Sequence, residues 1–201
     1  MTAIKVIVFD FDGTLVESNQ LKYEAYFELF PKDNYHDRAI RQILSTSFEE
    51  SRDVILEKIL RQIDPNTADL MATVNRLAEQ YNRIVVEAVK NCPECPGAET
   101  TLRQLSARLP LYLSSTTPEE ALRAILSFRN WRGYFRDVFG YPRKKIETLR
   151  ELLQREQVTP DQILVVGDGD SDRIAAAAVG CQFFCVNDHP LSAVALWNNR
   201  R

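Results

Sequence analysis

The chain is poor in glycine. Seven of its 201 residues are glycine, about half the usual ~7%. That scarcity excludes fibrous and low-complexity classes. No glycine falls between Gly13 and Gly97, and Pro65 is the sole proline between positions 32 and 92. Glycine costs a helix interior roughly 1 kcal/mol and proline about 3, so this stretch favours helices. No apolar run approaches the ~20 residues needed to span a bilayer. No block of basic residues exists and the net charge is −3, which argues against nucleic acid as a partner. Met1–Asp10 lacks the charged-then-apolar pattern of a secretory leader. The two histidines, His36 and His189, have no partner pattern. Four cysteines stand as C-P-E-C (Cys92, Cys95) and C-Q-F-F-C (Cys181, Cys185). The second pair lies in an apolar run that reads as a strand, an awkward frame for chelation, so free thiols in a reducing, cytoplasmic setting are expected rather than zinc.

With 45% hydrophobic residues the chain can bury a core, which excludes disorder. Ile4–Phe9 is short, mostly apolar and β-branched, as a strand buried in a parallel sheet would be. Leu109–Leu113 (with Pro110 at its start), Ile163–Val166 and Phe183–Val186 are similar. Helical patterns alternate with them. Thr117-Pro118-Glu119-Glu120 reads as a helix start with Thr117 as cap. Ile146, Leu149, Leu152 and Leu153 form one apolar stripe. Ser171–Val179 reads as a helix closed by Gly180. Leu70, Val74, Leu77, Tyr81, Ile84 and Ala88 form a long helical stripe, and Val54, Ile55, Ile59 and Ile63 a shorter one. The expected fold is therefore α/β: a Rossmann-like parallel sheet with helices on both faces, 1–16 and 96–201, interrupted after its first strand by an all-helical insert, 17–95.

Two acidic clusters sit at strand ends, where open α/β sheets bind ligands. Asp10-Phe11-Asp12-Gly13-Thr14 ends the first strand. Its two carboxylates, two residues apart, point the same way and suit metal binding and covalent or acid–base work. Gly167-Asp168-Gly169-Asp170-Ser171-Asp172 follows the third. It is no calcium loop, because Arg173 replaces the required glycine and Val179 the terminal glutamate. A hard cation, Mg²⁺, best joins the two clusters. Between them, Leu113-Ser114-Ser115-Thr116-Thr117 offers hydroxyls and amides for a phosphate. Arg143-Lys144-Lys145 opens a helix, the wrong end for cations by dipole logic, which makes sense facing an anion.

D-F-D-G-T-L, a strand-terminal Ser/Thr, a lysine and G-D-x-x-x-D, in that order, resemble the haloacid dehalogenase-like hydrolase superfamily over essentially the whole chain. The helical insert is similar to the α-helical cap of its phosphoglycolate-phosphatase-like branch. The resemblance implies Asp10 as nucleophile and Asp12 as acid and base. Asp10, Asp12 (through its carbonyl) and Asp168 would bind Mg²⁺, with Asp172 in support. Gly13, Thr14, Ser115, Thr116 and Lys145 would hold the phosphate. Ser114 lies one register from Ser115, and Lys144 competes with Lys145. Glu17-Ser18-Asn19-Gln20 would flank the site, and Arg52 of the cap could reach a substrate anion. The expected activity is a Mg²⁺-dependent phosphatase of a small phosphorylated metabolite, acting through an aspartyl-phosphate. A phosphomutase of the β-phosphoglucomutase type and a non-catalytic binding protein on the same fold are the alternatives.

Overall fold

Val6–Phe9 (β1) is four consecutive buried apolar residues, Val-Ile-Val-Phe. Fully burying each such side chain is worth roughly 1.5–3 kcal/mol, which only a sheet covered on both faces allows. In the computed structural model, which describes residues 3–47 and 50–199, β1 is the middle of five parallel strands. Met1, Thr2, Phe48, Glu49, Arg200 and Arg201 lie outside the described residues. β1 pairs on one side with Leu111–Pro118 (β2), with Ile7 level with Leu111. On the other side it pairs with Ile163–Gly167 (β4), with Val6 level with Ile163. Asp137–Tyr141 (β3) and Gln182–Cys185 (β5) are the edges, giving the order β3-β2-β1-β4-β5.

The helices are Asn19–Phe27 (α1), Asn34–Ser47 (α2), Arg52–Ile63 (α3), Leu70–Asn91 (α4), Ala98–Ser106 (α5), Glu119–Phe128 (α6), Lys145–Arg155 (α7) and Asp170–Val179 (α8). Strands β1 to β3 step one way across the sheet and β4 to β5 the other. Right-handed crossovers then put α5 and α6 on one face and α7 and α8 on the other. Under α7 and α8, Val6, Val8, Tyr112 and Val165 pack against Leu149, Leu152, Ala175 and Ala176. On the opposite face α5 packs with the 3₁₀ stretch Leu191–Asn199.

Internal contacts divide the chain into two units, Met1–Ser18 with Cys92–Arg201, and Asn19–Asn91. The second unit is α1 to α4 alone. Its core is Ile40, Leu56, Ile59 and Val74, all fully buried. In α4 the buried line is Val74, Leu77, Ala78, Tyr81, Val85 and Val89. The expected stripe therefore turns by one residue after Tyr81, and Ile84 and Ala88 are half-buried. In α3 the buried residues are Ile55, Leu56, Ile59 and Leu60, while Val54 is exposed.

Three expectations are corrected. β2 starts at Leu111 and runs on to Pro118, past the Leu113 limit. Thr117 is thus a strand residue and does not cap α6, whose N-cap is Pro118. β3 has no counterpart among the expected strands. It begins on Asp137 and contains Gly140, whose composition reads as a break. Gly140 is needed there because an added Cβ would lie 2.4 Å from the Cα of Glu119.

Candidate active site

The order in which the chain adds strands reverses between β1 and β4. Chain ends diverge at such a switch point and leave a crevice at the carboxyl edge. Asp10 follows β1 directly, its amide donating to the Val166 carbonyl at 2.8 Å and so prolonging the β1–β4 ladder. Asp168 follows β4 directly, and Asp172 lies in the first turn of α8. One oxygen from each of Asp10, Asp168 and Asp172 falls within 4.8 Å of the others. Asp10 and Asp172 are buried and Asp168 half-buried.

Lys145, the first residue of α7, reaches into this cluster. Its Nζ donates to Asp10 Oδ1 at 2.9 Å and to Asp172 Oδ1 at 2.7 Å. The neighbouring Lys144 is exposed. Arg143 pairs with Glu151 and lies over the Phe139 ring. Of the three adjacent cations, Lys145 is the one the structure brings to the acidic cluster.

Asp12 faces a different environment. Ser18 Oγ donates to its Oδ1 at 2.6 Å, and Thr117 Oγ1 donates to its Oδ2 at 2.7 Å. Ser115 Oγ lies 3.3 Å from the same Oδ2 and accepts the Thr117 amide at 3.1 Å. Ser115 and Thr117 are two apart in a strand, so both hydroxyls point to one side. Ser114 points the other way, and Thr116 is exposed. Gly13 sits at φ +70°, its amide donating to the Val16 carbonyl and closing the turn after Asp12. Thr14 is fully buried and its hydroxyl is unpartnered.

Electrostatics separate these groups. Burial raises the Asp10 pKa. Lys145 opposes the rise, while the charges of Asp12 and Asp168 add to it. Burial and the nearby Asp10 push Asp172 up to about 8. Burial alone would lower Lys145, but Asp10 and Asp172 outweigh it and its pKa rises, so the ammonium is charged. Lys145 bonds two of these carboxylates, Asp10 and Asp172, and Asp172 Oδ2 is buried with no partner. Oxygen-only donors, excess negative charge and an unsatisfied carboxylate oxygen fit a hard divalent cation.

Gly167 makes this packing possible. A Cβ added there would lie 2.3 Å from Asp172 Cγ. Elsewhere, none of the four cysteines is in a disulfide, with Cys92 buried and the others half-buried. Burial pushes the Cys95 thiol up to about 12 and that of Cys181 to about 11. Arg52 lies in α3, where it donates to Asn82 and Asp53 of its own helical unit.

The model of the haloacid dehalogenase-like hydrolase family matches residues 4–180. The chain belongs to this family. Other haloacid dehalogenase-like hydrolases resemble it along most of its length. A phosphoglycolate phosphatase of Vibrio cholerae is 28% identical over 204 residues, covering 92% of this chain and 84% of its own. A phosphorylated carbohydrates phosphatase of Thermotoga maritima is 27% identical, covering 89% of this chain and 83% of its own. Among solved structures, a predicted phosphoglycolate phosphatase from Haemophilus somnus superposes with a TM-score of 0.74 at 21% identity, over 96% of this chain and 97% of that one. At that identity the superposition speaks for the fold alone. No helix among the described residues is long and apolar enough to cross a membrane.

Two contacts at the site escaped sequence reasoning. That of Thr117 was masked by its resemblance to a helix cap. Ser18 was expected to flank the site, but its bond to Asp12, six positions before it, was not. The only available signal for Thr117 was its spacing, two residues from Ser115 on a strand.

Proposed function

We propose that this hydrolase is a Mg²⁺-dependent phosphatase of small phosphorylated metabolites, acting through an aspartyl-phosphate on Asp10. The contrast between its two adjacent carboxylates carries the reading. Asp10 is held by an ammonium and faces two more carboxylates, whereas Asp12 is held by hydroxyls. Two carboxylates in opposed environments can divide nucleophilic and acid–base work. The phosphatase names borne by the relatives support the same reading.

An Asp10 carboxylate oxygen attacks phosphorus as the bond to the leaving oxygen breaks. Asp12 gives its proton to that oxygen, then takes one from the water that cleaves the acyl phosphate. Ser115 and the Thr116 amide, with the Gly13-Thr14 turn, hold phosphoryl oxygens. Lys145 offsets charge on Asp10 and keeps its attacking carboxylate oriented. Asp10, Asp168 and the Asp12 carbonyl would hold Mg²⁺, with Asp172 completing or supporting that set. The ion supplies charge neutralisation on the phosphoryl group. The helical insert, 17–95, is in this reading the cap that selects the substrate, with Arg52 one of its candidate anion contacts. The expected setting is cytoplasmic.

The test is phosphate release from a panel of phosphorylated sugars and small acids, phosphoglycolate among them, with and without EDTA. Release that stops with EDTA and returns with Mg²⁺ supports the reading, and EDTA-indifferent release refutes the metal assignment. A phosphomutase would instead need a sugar bisphosphate activator and release little free phosphate.

A further inference from the structure

We propose that Thr117 and Ser18 are positioning residues that clamp the Asp12 carboxylate in the orientation from which it protonates the leaving oxygen. The inference rests on the assignment of Asp12 as the general acid. The two hydroxyls come from different parts of the chain. Ser18 lies six residues after it, whereas Thr117 is 105 residues away in β2. Each takes a different oxygen, at 2.6 and 2.7 Å, and both residues are buried. A carboxylate gripped at both oxygens cannot rotate about its final side-chain bond without breaking a hydrogen bond in a buried setting.

The clamp has a reason in the charge layout. Asp12 is close enough to Asp10 to raise its pKa, and Lys145 lies on Asp10 in turn. An unclamped Asp12 would be drawn toward that ammonium or toward a bound cation, away from the leaving group. Ser115 cannot hold Asp12 alone: its contact is 3.3 Å, and the proposed function also assigns its hydroxyl to the phosphate. Thr117 instead places its hydroxyl on Asp12 while its own amide ties it to Ser115, so the two strand residues keep separate tasks.

A misplaced acid leaves a chemical signature that a loosened fold does not. A leaving group such as p-nitrophenolate departs without a proton, whereas an alkoxide needs one. Thr117→Val keeps the shape of a buried strand residue and removes the hydroxyl. We expect it to lower kcat/KM for phosphoglycolate about tenfold more than for p-nitrophenyl phosphate, a part of the 10²–10⁴-fold that general acid catalysis supplies in full. Inhibition by inorganic phosphate should be unchanged, and Thr117→Ser should restore both rates. Ser18→Ala should give the same selective loss and serves as the second probe should Thr117→Val fail to fold. Asp12→Asn sets the reference. If Asp12→Asn shows no such selectivity, the acid assignment and this inference fall together. If Asp12→Asn shows it, and Thr117→Val and Ser18→Ala slow both substrates equally or not at all, the inference alone is overturned.

Discussion

The helical unit and the α/β unit bury different things. Of the eleven buried polar or charged side chains among the described residues, only Ser47 belongs to the helical unit. Its hydroxyl is met by Lys58. Several charged residues of that unit pair in exposed positions, as Lys32 does with Glu28 and Arg61 with Glu57. Such pairs are worth a few tenths of a kcal/mol each. The α/β unit instead sinks Asp10, Asp12, Asp172 and four hydroxyl residues around them, Thr14, Ser18, Ser115 and Thr117. Uncompensated carboxylates are costly to bury. One unit is therefore built as an amphipathic bundle would be, and the other gives up stability at a single sheet edge for chemistry.

The contrast can be broken most severely at Asp10. Asp10→Asn should cost about 10⁴-fold or more in turnover and leave thermal stability unchanged or raised, because a buried like charge disappears. Residual turnover near that of the parent would remove Asp10 from the nucleophile role. In the helical unit the opposite result is expected. Leu56→Ala, at a fully buried site, should cost about 2–5 kcal/mol of stability by opening a cavity. Urea titration would show it, and a loss under 1 kcal/mol would mean that α3 is not a core helix. The register of the phosphate loop is a finer matter. Ser115→Ala should reduce kcat/KM by about 10- to 100-fold and Ser114→Ala by only a few-fold. The reverse order would move the loop by one residue.

The smallest effect tests the part of the α/β unit away from the edge. Asp137 is pulled below the usual carboxylate range. Burial opposes this, but Arg155, the Val138 amide and Arg123 outweigh it. A depressed pKa contributes stability above the unfolded-state value near 3.9, and that stability is lost as pH falls through the folded value. Asp137→Asn should thus cost about 0.5–1 kcal/mol at pH 7, and the cost should shrink as pH falls below the unfolded-state value. A pH-independent loss would deny the ion pairs their role.

The sheet was largely legible because parallel strands buried on both faces are written as unbroken apolar runs, as in Val6–Phe9 and Ile163–Gly167. β3 was not, because its place is fixed by long-range pairing with β2, while its own sequence carries Asp137 and Gly140. The acidic clusters were legible because each is local in sequence. What joins Asp12 to Thr117, or Lys145 to Asp172, is topology, and neighbours in the chain carry no trace of it. Local capping chemistry even misdirects at Thr117, where a tertiary partner outcompetes the helix end.

Gly167 shows how narrow the margin at this edge is. Each of the other nineteen amino acids carries a side chain there, and its first carbon would collide with the Asp172 carboxylate. The position therefore has no conservative replacement. What Gly167 supplies is an empty volume about the size of one methyl group, and a single-codon change there would disturb the acidic cluster without touching any of its charges.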